Sequence, residues 1–193
     1  GAESTLTIAL SAAPQDLVVV PVSVSGVGEV GLSAQTLTFG PEDWDIEQTV
    51  TVTGLDDDYV DGDQEVSVSV GPTTSDDPFF VDLSAGPFAF TNTDDDAAGL
   101  LLSPLTGLAT DESGGTDTLQ VSLSAAPTKQ VSVSVSTTSS EVSLDKTLLV
   151  FDDTNWSDAQ DVMVTGKDDD AIDGDQAFTV LVGPSASNDS EFG

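Results

Sequence analysis

The sequence predicts an all-β protein made of two tandem Ig-like antiparallel β-sandwich modules of about seven strands each. Three observations predict it. The apolar residues are mostly Val, Leu and Ile alternating with Ser and Thr, and aromatic residues are only 6% of the chain, a mixture that suits half-buried strands. No run of ten or more residues keeps a helical period, and Gly-Pro, Asp-Gly and Ser-rich punctuation falls between the alternating segments. Finally, the whole series of segments occurs twice.

In the first copy the strand candidates come in order. Leu6, Ile8 and Leu10 alternate with polar residues and end at the turn Ser11-Ala-Ala-Pro14; Val18, Val20 and Val22 follow. Leu37 and Phe39 lead into Trp44, Val50 and Val52 form the next period-two run, and Val66, Val68 and Val70 close on Gly71-Pro72. Each run places every second residue on one face, which makes that face the buried one.

The second copy repeats these features in register. Leu-Ser-Ala-Ala-Pro at Leu10 to Pro14 recurs at Leu123 to Pro127, 113 residues on. From Leu37 to Trp44 onward the offset is 112, so one residue is lost in the loop between. Gln48-Thr-Val-Thr-Val-Thr-Gly54 answers Gln160-Asp-Val-Met-Val-Thr-Gly166, and Val70-Gly-Pro72 answers Val182-Gly-Pro184. The modules are placed at residues 1–98 and 99–193. On this register the first copy has no equivalent of Gly99 to Ser113, a first strand, and the second has no equivalent of Asp82 to Asp96, a last strand. The expectation is a fragment of a longer array, with strand exchange between neighbouring chains as the alternative.

Charge narrows the partners. Three lysines and no arginine face 35 acidic residues, for a formal charge of −32, which excludes nucleic acid and disfavours anionic membrane surfaces. No stretch approaches the ~20 apolar residues of a membrane span. Cysteine and histidine are absent, which removes disulfides and thiolate or imidazole metal sites. With no His, Cys or Arg, an enzyme would depend on a carboxylate pair. The acids instead recur at one loop of both copies, as structural features of tandem modules do, so the chain reads as a non-enzyme.

Those acids are clustered. Asp56, Asp57, Asp58, Asp61 and Asp63 correspond to Asp168, Asp169, Asp170, Asp173 and Asp175, and Asp94, Asp95 and Asp96 lie where the copies join. Two carboxylates ~4 Å apart repel by about 1 kcal/mol in water and about 4 kcal/mol at a partly shielded surface. A turn holding several of them calls for a cation. Ca²⁺ accepts six to eight oxygens in irregular geometry, whereas Mg²⁺, with its octahedral shell and retained waters, is the weaker candidate. The loop is no EF-hand: counted from Asp56, the glycine position holds Asp61 and the bidentate Glu position holds Ser67.

The order of features from Leu149-Val-Phe151 through Asp168-Asp169 and Asp173 to Phe178-Thr-Val-Leu-Val-Gly-Pro184 resembles the Calx-β domain. Asn155-Trp156, Gln48-Thr-Val-Thr-Val-Thr-Gly54 and Thr91-Asn-Thr-Asp-Asp-Asp96 are similar to its repeats in bacterial adhesin-type surface proteins. The resemblance implies Ca²⁺ at one tip of each sandwich. Its ligands fall on Asp56, Asp57, Asp61, Asp94 and Asp96 in the first copy, and on Glu112, Asp168, Asp169 and Asp173 in the second; Asp58 and Asp170 join them as members of the same clusters. It further implies an extracellular or cell-surface setting, that of a bacterial secreted protein, with Ca²⁺ rigidifying a stalk or fibre of such modules. The partners are then calcium ions and neighbouring repeats or copies of the chain. An adhesion module that binds a glycan or a protein receptor is the alternative. Trp44 and Trp156 recur in register, which favours loop anchoring over sugar stacking.

Overall fold

The computed structural model describes residues 1–193 apart from Val27 and Asp173. Asp173, a metal-ligand candidate, therefore lies outside the described residues. Contacts divide the chain into unit 1, Gly1–Asp57 with Asp61–Asp94, and unit 2, Asp58–Val60 with Asp95–Gly193.

Among the described residues, unit 1 holds eight strands: β1 Glu3–Ile8, β2 Val18–Ser25, β3 Val30–Leu32, β4 Thr36–Phe39, β5 Gln48–Gly54, β6 Gln64–Val70, the two-residue β7 Thr74–Ser75 and β8 Ala85–Asn92. One sheet runs β1-β5-β3 and the other β4-β2-β6-β8, with β7 alongside β2. Those of unit 2 number seven: β9 Leu100–Ser103, β10 Thr116–Leu123, β11 Val131–Thr137, β12 Val142–Leu144, β13 Leu148–Phe151, β14 Gln160–Gly166 and β15 Val180–Ser187, again among the described residues. Its sheets run β12-β14-β10-β9 and β13-β11-β15. The strand pairings within these sheets are antiparallel. Both units are Ig-like sandwiches.

The alternating residues are what the sheets bury. Val18, Val20, Val22, Leu37, Phe39, Val50, Val52, Val66 and Val68 form one core. Leu119, Val121, Leu123, Val131, Val133, Val135, Leu149, Phe151 and Val162 form the other. Serines and threonines between them stay half-buried or exposed because the pleat turns them outward. One segment departs from the pattern. The alternation Phe178 to Val182 reads as the start of a strand like β6, yet the strand begins at Val180 and continues to Ser187 with a register shift against β11 between Val133 and Val135. There β15 spans both the end of the β6-like segment and the counterpart of β7.

The loops that follow the Phe39 and Phe151 strands, which carry the tryptophans, are built alike. The Gly40 N–H donates to Asp43 Oδ1, and the Asp152 N–H donates to Asn155 Oδ1. The Gln48 amide donates to the Thr38 carbonyl at 2.8 Å, as Gln160 does to Val150 at 2.7 Å. The Trp44 carbonyl accepts the Leu10 N–H at 2.9 Å and the Trp156 carbonyl that of Leu123 at 2.8 Å. Trp156 packs on the core of its unit. Both tryptophans are half-buried.

A buried acid fixes the same end of each sandwich. Asp189 is 8% exposed; its Oδ2 accepts the Thr128 N–H at 2.7 Å and the Thr128 hydroxyl at 2.8 Å, and its Oδ1 accepts the Glu191 N–H at 3.1 Å. Burial opposes its ionisation, but these bonds outweigh burial and hold the carboxyl below its ordinary range. A depressed folded-state pKa contributes stability that is present above the ordinary carboxylate pKa and is lost as pH falls through the depressed value. Asp189→Asn is therefore expected to cost about 1–2 kcal/mol at pH 7. In urea titrations the gap between variant and wild type should shrink as pH drops below the carboxylate range; a gap that is constant with pH contradicts the assignment.

Candidate metal centre

The β2–β3 and β5–β6 loops and the end of β8 meet at one tip of unit 1. Glu29 is brought there because its own carbonyl accepts the Leu55 N–H at 2.8 Å, which ties the turn before β3 to the end of β5. Asp57 and Asp61 follow β5 on the long loop to β6. One carboxylate oxygen from each of Glu29, Asp57 and Asp61 lies within 4.8 Å of the others. Glu29 is half-buried and both aspartates are exposed.

The loop owes its shape to a second set of polar groups. Gly62 sits at φ +74°, a backbone region that glycine enters without penalty, and this turns Asp61-Gly62-Asp63 toward β8. The Gly62 and Asp61 N–H groups then donate to Asp94 Oδ2 at 2.7 and 3.1 Å, and the Asp94 N–H donates to Asp63 Oδ1 at 3.2 Å. Asn92 reaches Leu55 O at 2.7 Å and Glu29 Oε2 at 3.3 Å through its amide nitrogen. Gln64 caps the Asp61 and Gly62 carbonyls at 2.9 and 3.1 Å. Asp94 thus acts on the backbone that presents Asp61 and stands outside the three-carboxylate group.

The donor set fits a hard cation. Ca²⁺–oxygen bonds of about 2.3–2.6 Å place two ligands on opposite sides of an ion ~5 Å apart, so three oxygens mutually within 4.8 Å can share one ion. They supply three negative charges, and the open side toward solvent leaves room for further oxygens. Zn²⁺ would lack its nitrogen or sulfur donors.

Of the residues the sequence singles out, the structure brings together Asp57 and Asp61, with Asp94 in support. Asp56 and Asp58 are exposed and Asp96 is half-buried, and all three lie outside the group. In unit 2, Glu112 borders an open cleft of about 650 Å³ together with Glu141, Lys167 and Asp175. The turn that presents Glu112 is built by Asp111, whose Oδ1 accepts the Ser113 hydroxyl and N–H and the Gly115 N–H. Those bonds, the Ser113 hydroxyl first, hold the Asp111 carboxyl below its ordinary range. Asp168, Asp169 and Asp170 are exposed, and Asp169 Oδ1 accepts the Ala171 N–H at 2.7 Å.

Glu29 is the ligand candidate that the aspartate clusters do not reveal. Its signal is the repeat itself: Glu29-Val30 recurs as Glu141-Val142 at the 112-residue offset, and Glu141 O accepts the Lys167 N–H at 2.8 Å just as Glu29 O accepts that of Leu55. The same comparison exposes a difference. Lys167 stands where unit 1 has Leu55, so the acidic cleft of unit 2 carries a positive charge of its own.

Among the described residues no helix is long and apolar enough to cross a membrane. No protein-family model matches the chain, and no curated protein matches it. Solved structures do match. The chain is similar to CBD12 from CALX1.2, with 18% identity over 98% of this chain and 76% of that one and a TM-score of 0.42. It is similar to the calcium binding domain CBD12 of CALX1.1, with 18% identity, 95% and 74% coverage and a TM-score of 0.43. The D0-D1 domain of Intimin matches with 18% identity, 96% and 89% coverage and a TM-score of 0.31.

Proposed function

We propose that the chain is a calcium-binding structural module of an extracellular or cell-surface protein, in which Ca²⁺ at the Glu29, Asp57 and Asp61 tip stiffens an Ig-like sandwich. The observation that carries this reading is the meeting of those three carboxylates, from two separate loops, within 4.8 Å. Without a cation, each pair adds a repulsion of about 1 kcal/mol in the water-like dielectric of this largely exposed tip, which opposes the fold that gathers them. The ion turns that repulsion into a tie between the β2–β3 and β5–β6 loops. We read the module as structural because the acids recur at one loop of both copies, as structural features of tandem modules do. Its extracellular setting and its place in an array rest on the sequence resemblance to Calx-β repeats of surface proteins.

Titration of the 193-residue chain with Ca²⁺, followed by amide NMR, tests the reading. Shifts are expected first at residues 28–31, 55–63 and 92–94, saturating with Ca²⁺ at concentrations where Mg²⁺ has little effect. No shift at the tip, or equal response to both ions, contradicts it.

A further inference from the structure

The end of unit 1 opposite the acidic tip displays apolar side chains to solvent. Phe79 is 80% exposed, Leu17 56%, Leu83 45% and Val81 40%. Leu17 precedes β2 and Glu29 follows it, so the eight residues of the strand separate the two ends by roughly 25 Å. The display is rigid because its pins are buried. Asp77, 3% exposed, accepts the Gln15 N–H at 2.8 Å and the Phe79 N–H at 3.0 Å. The Thr73 hydroxyl, on a residue 4% exposed, donates to Phe80 O at 2.6 Å and accepts the Leu83 N–H at 3.0 Å.

Unit 2 rebuilds the Asp77 part of this lock with polar residues at the Phe79 and Leu17 positions. Asp189 replaces Asp77, and Phe192 is buried like Phe80. Yet Glu191 stands in the place of Phe79, Gln130 in that of Leu17, Lys129 in that of Asp16 and Asn188 in that of Asp76. The fold therefore needs the inner phenylalanine and not the outer one. Single exposed apolar residues are ordinary, but four gathered at one end of a unit on hydrogen-bonded loops mark an interaction surface.

Charge selects the occupant. Asp16, Asp76 and Asp82 are exposed beside the apolar residues, and residues 1–98 contain no lysine or arginine. A second copy of a chain carrying −32 is repelled, as is any acidic partner. We propose that this end of unit 1 docks a cationic protein segment, which seats an apolar side chain on Phe79 and sets flanking Lys or Arg residues against Asp16, Asp76 and Asp82. The surface is distinct from the calcium tip, so an ion bound there leaves these acids uncompensated.

Two end-blocked peptides of equal charge test it on the full chain at physiological salt: Lys-Leu-Lys-Phe-Lys-Leu-Lys and Lys-Ser-Lys-Ser-Lys-Ser-Lys. The first is expected to bind about tenfold more tightly, the effect of seating one large apolar side chain, with amide shifts at residues 15–17 and 73–83. Phe79→Glu installs the residue of the second unit and adds a negative charge. Pure charge attraction would make it bind better; docking on Phe79 makes it lose the tenfold preference, as should the uncharged Phe79→Ser. Equal affinity of the two peptides, full preference in Phe79→Glu, or shifts centred on the aspartate loops would overturn the proposal. Sedimentation showing that copies of the chain pair through Phe79 would overturn it as well.

Discussion

Saturating Ca²⁺ is expected to raise the unfolding free energy of the wild-type chain, and Asp61→Asn or Glu29→Gln is expected to remove most of that gain. At a free concentration 100 times the dissociation constant, one site adds about 2.7 kcal/mol, easily read in a thermal or urea melt. The two variants should diverge from wild type only when the ion is present. In chelator, removing one of three carboxylates that lie within 4.8 Å relieves repulsion, so Asp61→Asn is expected to be neutral or slightly stabilising. A residue whose role is ordinary packing would be destabilised under both conditions. Asp56→Asn is the informative control: Asp56 belongs to the same aspartate run but lies outside the group, and it should keep the calcium gain. Equal loss in Asp56→Asn and Asp61→Asn would mean that the run acts as a diffuse charge rather than as a site.

The second large effect lies in the cores. Phe39 and Phe151 hold corresponding places in β4 and β13 and are each 0% exposed. Replacing either with alanine deletes a buried ring and leaves a cavity that the β-branched neighbours cannot fill, at an expected cost of about 3–5 kcal/mol. Small domains are stable by about 5–15 kcal/mol, so this is a large share of the total. Urea denaturation should show a lower midpoint with little change in slope. Phe79→Ala provides the contrast, since at 80% exposure it should fall within about 0.5 kcal/mol of wild type. A small effect at Phe39 would mean that the sandwich tolerates the void by closing around it.

The strands were legible because their signal is local: period-two valines at 18 to 22, 50 to 52 and 66 to 70 state which face is buried, and the duplication states it twice. The Asp57 and Asp61 half of the site was legible for a similar reason, since five acids within eight residues cannot be packed inside. Glu29 was not, because a single glutamate after Gly28 has no local neighbours of its kind. Only the pairing of β3 with β5, a contact across more than twenty residues, carries it to the aspartates. The supporting role of Asp94 was equally hidden, for it depends on which oxygen meets the Gly62 N–H. The extent of β15 is not legible from pattern, because Phe178 and Val180 alternate like strand residues while register against β11 is decided by an irregularity between Val133 and Val135 that no alternation records.

The two tryptophans of the chain lie one in each sandwich, at matching half-buried positions in loops tied to the neighbouring strand. Each is thus a private optical reporter. Changing Trp156 to phenylalanine leaves Trp44 as the sole indole fluorophore, and changing Trp44 leaves Trp156. The red shift that accompanies hydration of a half-covered indole then follows one sandwich at a time. Gene duplication placed an identical dye at an identical address in both halves, so the emission of either single-tryptophan chain can be compared directly with that of the other.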